Sequence, residues 1–290
     1  YQIGRLIGRL GGFGVTYLAF DQLLQAVVAI KEYLPRDVAG RSSDRLNVIP
    51  HSESDSEFYE YGLGRFLEEA RTLAKIDHPN VVRVRDFFEE NRTAYLVMDY
   101  CDGLTLSEYI KRQPTGRIEA ERAVAIMIPI LDGLREVHKK GFLHRDIKPA
   151  NIYLATGGRP ILLDFGAARQ SMGEKSNSMS VVLSEGFAPI EQYQRNGKQG
   201  SWTDVYGVAA TLYTMLTGSV PPPATDRISH EGGLPGLRSC PDNIRLAVEK
   251  GMALLQSERI QNMEQLQAAL GAKASKPVVE IPRDPAAKPH

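Results

Sequence analysis

The residues best able to do chemistry are gathered in His144-Arg145-Asp146-Ile147-Lys148-Pro149-Ala150-Asn151 and, a little further on, in Asp164-Phe165-Gly166. Two carboxylates, a lysine and an amide stand there at short fixed offsets, with apolar runs around them. Ile152, Tyr153 and Leu154 read as a short strand, and Ile161, Leu162 and Leu163 as its partner, with Thr156-Gly157-Gly158 as the turn. A hairpin of this kind would bring Asn151 and Asp164 together. Both carry hard oxygen ligands, the type that holds Mg2+ together with the phosphates of a nucleotide. Asp146 would then lie within reach of a substrate hydroxyl and could take its proton.

In spacing and residue type this run resembles the catalytic loop and metal-binding triplet of protein kinases. The resemblance implies an α+β, bilobal kinase fold: a small antiparallel sheet with one main helix, then a larger and mostly helical lobe. It implies transfer of the γ-phosphoryl group of ATP to Ser or Thr hydroxyls of protein substrates. Asp146 would be the base, Lys148 would offset charge on the phosphoryl group, and Asn151 and Asp164 would bind Mg2+. Lys148, two residues past Asp146, favours Ser/Thr over Tyr acceptors. The chain is most similar to the bacterial, eukaryotic-like members of the family.

The elements that must position these groups begin at Gly8-Arg9-Leu10-Gly11-Gly12-Phe13-Gly14, a glycine turn between two strands. Glycine lets backbone N–H groups approach a phosphate closely. Gly8, Gly11, Gly12 and Gly14 resemble the kinase glycine-rich loop, with Leu10 as an insertion in the usual spacing. That insertion supports the alternative reading, an ATP-binding scaffold with impaired turnover. Val27-Val28-Ala29-Ile30-Lys31 is an apolar strand ending in a lysine. The resemblance implies that Lys31 holds the α- and β-phosphates and pairs with a helix glutamate. Phe66, Leu67, Ala70 and Leu73 recur at helical spacing, so Glu69 is placed to face Lys31 from beside the apolar stripe, and Glu68 to face water.

Residues 32–64, rich in serine, glycine and proline, read either as a surface loop with a short helix near 57–61 or as a surface that positions the Glu69 helix. They resemble an insertion found in some bacterial Ser/Thr kinases. Two strands follow, over 81–88 and 94–100. By resemblance Met98 would stand at the back of an adenine pocket, and the backbone from Asp99 to Cys101 would pair with adenine.

From residue 103 the pattern turns helical, over 107–112 and 119–140, with Pro129 predicting a bend in the second. A serine-rich segment then runs to Ala188-Pro189-Ile190-Glu191 and resembles an activation loop. Arg145 could pair with a phosphate on that loop, and Ser176, Ser178 and Ser180 are candidate phosphosites, with autophosphorylation implied. Ser184 stands where the family carries a threonine that touches the catalytic Asp and Lys, and Glu185 replaces the usual proline. Asp204 reads as an N-cap of an apolar helix. By resemblance it also holds the backbone of the catalytic loop, and Arg259 pairs with Glu191 as a buried brace.

Bulk properties set wider bounds. The 35 basic and 35 acidic side chains cancel, which argues against nucleic acid or an anionic membrane as partner. No apolar run approaches the ~20 residues of a membrane helix. Cys101 and Cys240 make no disulfide framework, so a reduced, cytoplasmic catalytic domain is expected. The opening tyrosine suggests a piece of a longer protein, which could be anchored elsewhere. The expected division is 1–102 and 103–270 as two lobes, with 271–290 as a linker or disordered tail.

Overall fold

Alternating apolar residues in the first hundred positions build one antiparallel sheet. Strands β1 (Gln2–Leu6), β2 (Gly14–Asp21) and β3 (Ala26–Tyr33) are followed by a short hairpin, β4 (Ala39–Arg41) and β5 (Val48–Pro50). Helix α1 (Glu53–Leu73) comes next, then β6 (Val84–Glu90) and β7 (Thr93–Asp99). The five-stranded order is β1-β2-β3-β7-β6, and every neighbouring pair is antiparallel. Val28, Ile30 and Val97 are fully buried with Ala19 and Tyr95 on one face, and Phe88 packs against them. These are positions of one parity along each strand, as side chains of a pleated sheet require.

The computed structural model describes residues 1–7, 14–165, 183–228 and 234–271. Gly8, Leu10, Gly11 and Gly12, Ser176, Ser178 and Ser180, and the tail from 272 onward lie outside the described residues. The described residues form two compact units: 1–7, 14–77 and 82–100 in one, and 78–81, 101–165, 183–228 and 234–271 in the other.

Within the sheet unit, the surface-loop reading of 32–64 is overturned. Helix α1 is 21 residues long and starts at Glu53, well before the short turn of helix expected near 57–61. Ser52 caps it by accepting a hydrogen bond from the Asp55 N–H at 3.2 Å, with Glu53 and Asp55 in the first turn. Gly62 and Gly64 each cost a helix about 1 kcal/mol relative to alanine. Packing offsets this: Tyr59, Gly62, Phe66, Glu69, Ala70 and Leu73 line one buried face, and the Tyr33 ring lies 5.3 Å from Tyr59 and 5.6 Å from Phe66.

The second unit opens with β8 (Gly103–Thr105), α2 (Leu106–Lys111) and α3 (Ala120–Lys139). After a single 3-10 turn at Pro149–Asn151 come β9 (Ile152–Ala155) and β10 (Pro160–Leu162). Helices α4 (Ile190–Tyr193), α5 (Ser201–Thr217), α6 (Ala224–Arg227), α7 (Asp242–Gly251) and α8 (Met263–Ala269) complete it. Thr105 and Glu108 cap α2 reciprocally. Pro129 is tolerated inside a continuous α3, whose residues Ile126, Met127, Ile130, Leu131 and Leu134 are wholly buried. Val81 makes no part of β6, contrary to the expected strand over 81–88. The Leu162 N–H donates to the Asn80 carbonyl and the Asn80 side-chain amide to the Pro160 carbonyl, so this stretch is tied to β10.

Candidate active site

The loop before β9 is organised by one buried carboxylate. Asp204 is not the N-cap of α5, a place that Gly200 takes, but lies inside the first turn, and its carboxylate accepts from outside the helix: from the N–H of His144 at 2.9 Å, the N–H of Arg145 at 2.7 Å and the Nε2 of His138 at 2.7 Å. Burial alone would raise its proton affinity, but these hydrogen bonds and the nearby histidines outweigh it and hold the group below the usual carboxylate range. The two backbone bonds fix Arg145 at φ +67°, a left-handed conformation that costs a non-glycine residue about 1–2 kcal/mol. Gly207, one turn further along α5, has no side chain to keep the loop away. A Cβ there would lie 3.0 Å from Ile147 Cβ and 3.1 Å from its carbonyl oxygen.

His144 is fully buried beneath this loop. Its Nδ1 accepts from the Asp146 N–H at 3.2 Å, so its Nε2 carries the proton and donates to the Leu163 carbonyl at 2.9 Å. Desolvation lowers its pKa, with Asp204 opposing, and both bonds are those of a neutral ring. The ring packs on Phe165 with centroids 4.4 Å apart. One imidazole therefore ties the segment bearing Asp146 to the segment bearing Asp164.

Asp146 is only 7% exposed and is the centre of a closed set of contacts. Its Oδ1 accepts from the Ser184 hydroxyl at 2.6 Å, and its Oδ2 from Lys148 Nζ at 2.9 Å and Asn151 Nδ2 at 2.8 Å. Lys148 also donates to Ser184 Oγ at 2.7 Å. Asp146, Lys148, Asn151 and Ser184, named from the sequence, thus meet in one place. A carboxylate so held presents a fixed acceptor to an approaching hydroxyl.

The hairpin sets the second pair. Ile152 lies opposite Leu162, and the Leu163 N–H donates to the Asn151 carbonyl at 2.8 Å, so Leu163 lies across from Asn151 and Asp164 is the next residue along. Asn151 Nδ2 is spent on the Asp146 carbonyl at 2.7 Å and on its side chain. That orients the amide so that its oxygen is the atom left for a cation. Asp164 is exposed, at φ +44°. One amide oxygen and one carboxylate fit Mg2+ brought in with phosphate, since that ion keeps waters and substrate oxygens in preference to an all-protein cage. No cluster of three or more His, Cys, Asp or Glu able to hold a metal exists among the described residues.

Beyond Ser184 the chain is clamped. Gly186 adopts φ +80°, and a Cβ there would come within 2.6 Å of the Pro221 carbonyl. Glu191 and Arg259, both sealed from solvent, form a two-pronged ion pair at 2.6 and 3.2 Å. Arg259 spends its other N–H groups on the carbonyls of Trp202, Ala253 and Leu254 and lies over the Tyr206 ring. Thr203 donates to Glu191 at 3.1 Å.

In the sheet unit, Lys31 sits on β3 opposite Thr16 and Leu96. Glu69 is 2% exposed and lies within the buried stripe of α1, not beside it as the apolar spacing suggested. Glu68 turns outward and pairs with Arg65. Gly14 begins β2. A Cβ at that position would meet the Glu32 carbonyl at 2.7 Å, so glycine lets β2 start this close to the backbone of β3 just past the lysine. At the end of β7 the Asp99 N–H donates to the Arg83 carbonyl at 3.0 Å and its side chain pairs with Arg85. Cys101, in the helical unit, is half-buried and not part of a disulfide, with Arg159 Nη2 at 4.0 Å from its sulfur.

Sequence reasoning missed His138, whose only signal was a place in the last turn of α3. It also missed Gln192, which donates to the Arg145 carbonyl at 2.9 Å.

Comparison with known proteins shows the family. The family described as "Protein kinase domain" matches residues 1–240. The serine/threonine-protein kinase PrkC of Bacillus subtilis is 36% identical over 222 residues, covering 76% of this chain and 31% of PrkC. A probable serine/threonine-protein kinase PknB of Bifidobacterium longum is 33% identical over 233 residues, covering 76% of this chain and 30% of that protein. The chain thus spans about a third of the length of the curated relatives it matches. Among solved structures, "PpkA-294 apo form" superposes with a TM-score of 0.83 at 35% identity, covering 92% of this chain and 95% of that one.

Proposed function

From the premise that the chain belongs to the protein kinase family, we propose that it transfers the γ-phosphoryl group of ATP to Ser and Thr hydroxyls of proteins. The family generally uses ATP with Mg2+, and the orientation of Asn151 beside Asp164 suits that pair. We read 1–102 and 103–270 as the two lobes and 271–290 as a linker or disordered tail; the division into a sheet unit and a helical unit supports two lobes, with 78–81 and 101–102 falling in the helical unit.

The observation that carries the reading is the Asp146 cluster. Asp146 accepts and orients the acceptor hydroxyl, displacing the Ser184 hydroxyl that now occupies Oδ1. Lys148, already at 2.9 Å from Asp146, keeps the carboxylate aimed and offsets charge on the phosphoryl group. Asn151 offers its oxygen to a cation while its nitrogen holds Asp146. Lys31 orients the α- and β-phosphates and Glu69 aims Lys31; Gly8, Gly11, Gly12 and Gly14 are the sequence candidates for backbone N–H contact with the phosphates; the backbone at Asp99 and Cys101 receives adenine. Mg2+, when bound with ATP, supplies the positive charge that the phosphates require. The acceleration arises from positioning and electrostatics, because phosphoryl transfer asks little covalent help of the protein.

Incubation with Mg-ATP and a basic protein, followed by mapping of phosphorylated residues, tests this. Phosphoserine or phosphothreonine is the expected product, with Ser176, Ser178 and Ser180 as candidate autophosphorylation sites. Phosphotyrosine alone, or none, would contradict it.

A further inference from the structure

The segment just after Lys31 is left without a task by the catalytic reading, yet it holds the most enclosed charge in the sheet unit. Glu32 is fully buried, on the face of β3 opposite to Lys31. Its carboxylate accepts from Tyr17 Oη at 2.9 Å, Tyr95 Oη at 3.0 Å and Arg41 Nη2 at 2.6 Å. Arg41 closes β4 and also donates from Nη1 to the Leu46 carbonyl at 2.7 Å. Strands of three residues are marginal alone. The β4–β5 hairpin is fastened to the sheet at a second point, where the Val48 N–H donates to the Asn91 carbonyl at 2.9 Å.

Helix α1 begins directly beyond this hairpin, with Ser52 as its cap. Tyr59 in its second turn donates to the Arg92 carbonyl at 2.6 Å, and Tyr33 of β3 donates to the Tyr59 carbonyl at 3.2 Å. Lys31, Glu32 and Tyr33 are consecutive. The strand that carries the lysine therefore carries, in its next two residues, the bonds that fix the hairpin and the helix bearing Glu69.

We propose that Glu32 and Arg41 are positioning residues: the ion pair bolts the inserted hairpin to β3 and so sets where α1 holds Glu69. This rests on the roles proposed above for Lys31 and Glu69. The inserted segment then serves to keep the helix in its working place, instead of leaving it to swing.

Arg41 is partly solvent-exposed, so Arg41→Ala removes the bolt without opening the core. Hydrogen exchange and steady-state kinetics on the whole chain read the result, with Arg41→Lys as the conservative variant. Amides of α1 should exchange about tenfold faster, the equivalent of ~1.4 kcal/mol, while those of β3 and β7 stay unchanged. The KM for ATP should rise and kcat fall, with the KM for a peptide substrate unaltered, and Arg41→Lys should recover most of both. Unchanged exchange in α1, uniform acceleration across the sheet unit, or faster exchange with parental kinetics would each overturn the proposal. A parent protein that transfers no phosphate would overturn the kinase reading instead, and the exchange result would still decide whether the bolt holds the helix.

Discussion

Asp204→Asn keeps the shape of a side chain and removes the charge on which the catalytic loop hangs. An asparagine oxygen can accept one of the two backbone N–H groups that Asp204 serves, at 2.9 Å from His144 and 2.7 Å from Arg145. Its NH2 must then face the other, donor against donor. A hydrogen bond to a charged group contributes about 1.5–3 kcal/mol, and an orphaned buried N–H costs about 1–3 kcal/mol. Together these come to roughly 3–5 kcal/mol, the range found when one partner of a buried ionic contact is removed. For a chain of this size that is a fall in Tm of about 5–8 °C.

The strain at Arg145 turns this stability loss into a catalytic one. Freed from Asp204, Arg145 can leave φ +67°, and Asp146 is the next residue. A misplacement of ~1 Å at a catalytic group costs on the order of 100-fold in rate. Steady-state kinetics of folded Asp204→Asn should therefore show kcat down by about 100-fold with the KM for ATP little changed, because Asp204 touches nothing that is assigned to the nucleotide. A parental kcat in a variant whose Tm has dropped as expected would refute the reasoning, since the carboxylate would then brace the fold without aiming the loop.

Two further outcomes follow from the same geometry. Burial holds His144 neutral, so its folded pKa is depressed. The unfolded chain takes up a proton near pH ~6.5 that the folded chain refuses. Stability is thus full above that pH and declines as the pH falls below it. Thermal melts across this window should show the decline, and His144→Phe should flatten it; an equally steep decline in the variant would exclude His144 as the cause. Glu185 is exposed and follows Ser184, whose hydroxyl bonds to Asp146. Peptide arrays should show a preference for a basic residue beside the acceptor that Glu185→Arg reverses, and an unchanged preference would remove Glu185 from substrate choice.

What the sequence made legible is the chemistry that depends on short offsets. Asp146, Lys148 and Asn151 are separated by a few residues of one loop, and a tight hairpin carries Asp164 back to them, so their types and spacing already imply the cluster. The helix face of Phe66, Ala70 and Leu73 was legible for the same reason, and it chose Glu69 over Glu68. The start of α1 was not. Ser54, Ser56, Gly62 and Gly64 lower local helix propensity, and packing of Tyr59 and Phe66 against the distant ring of Tyr33 helps make up the difference. His138 was hidden because its partner lies 66 residues away on another helix. Val81 reads as strand on its own apolar character, but Asn80 beside it commits the backbone to β10.

The most direct test of the account compares the parent with Asp146→Ala, measuring Mg-ATP binding and phosphoryl transfer to a protein substrate in the same preparation. The carboxylate touches Lys148, Asn151 and Ser184 and is assigned to the acceptor hydroxyl, not to the nucleotide. The variant should bind Mg-ATP nearly as the parent does and transfer no phosphate. Transfer at the parental rate would show that Asp146 is not the group on which the reaction turns.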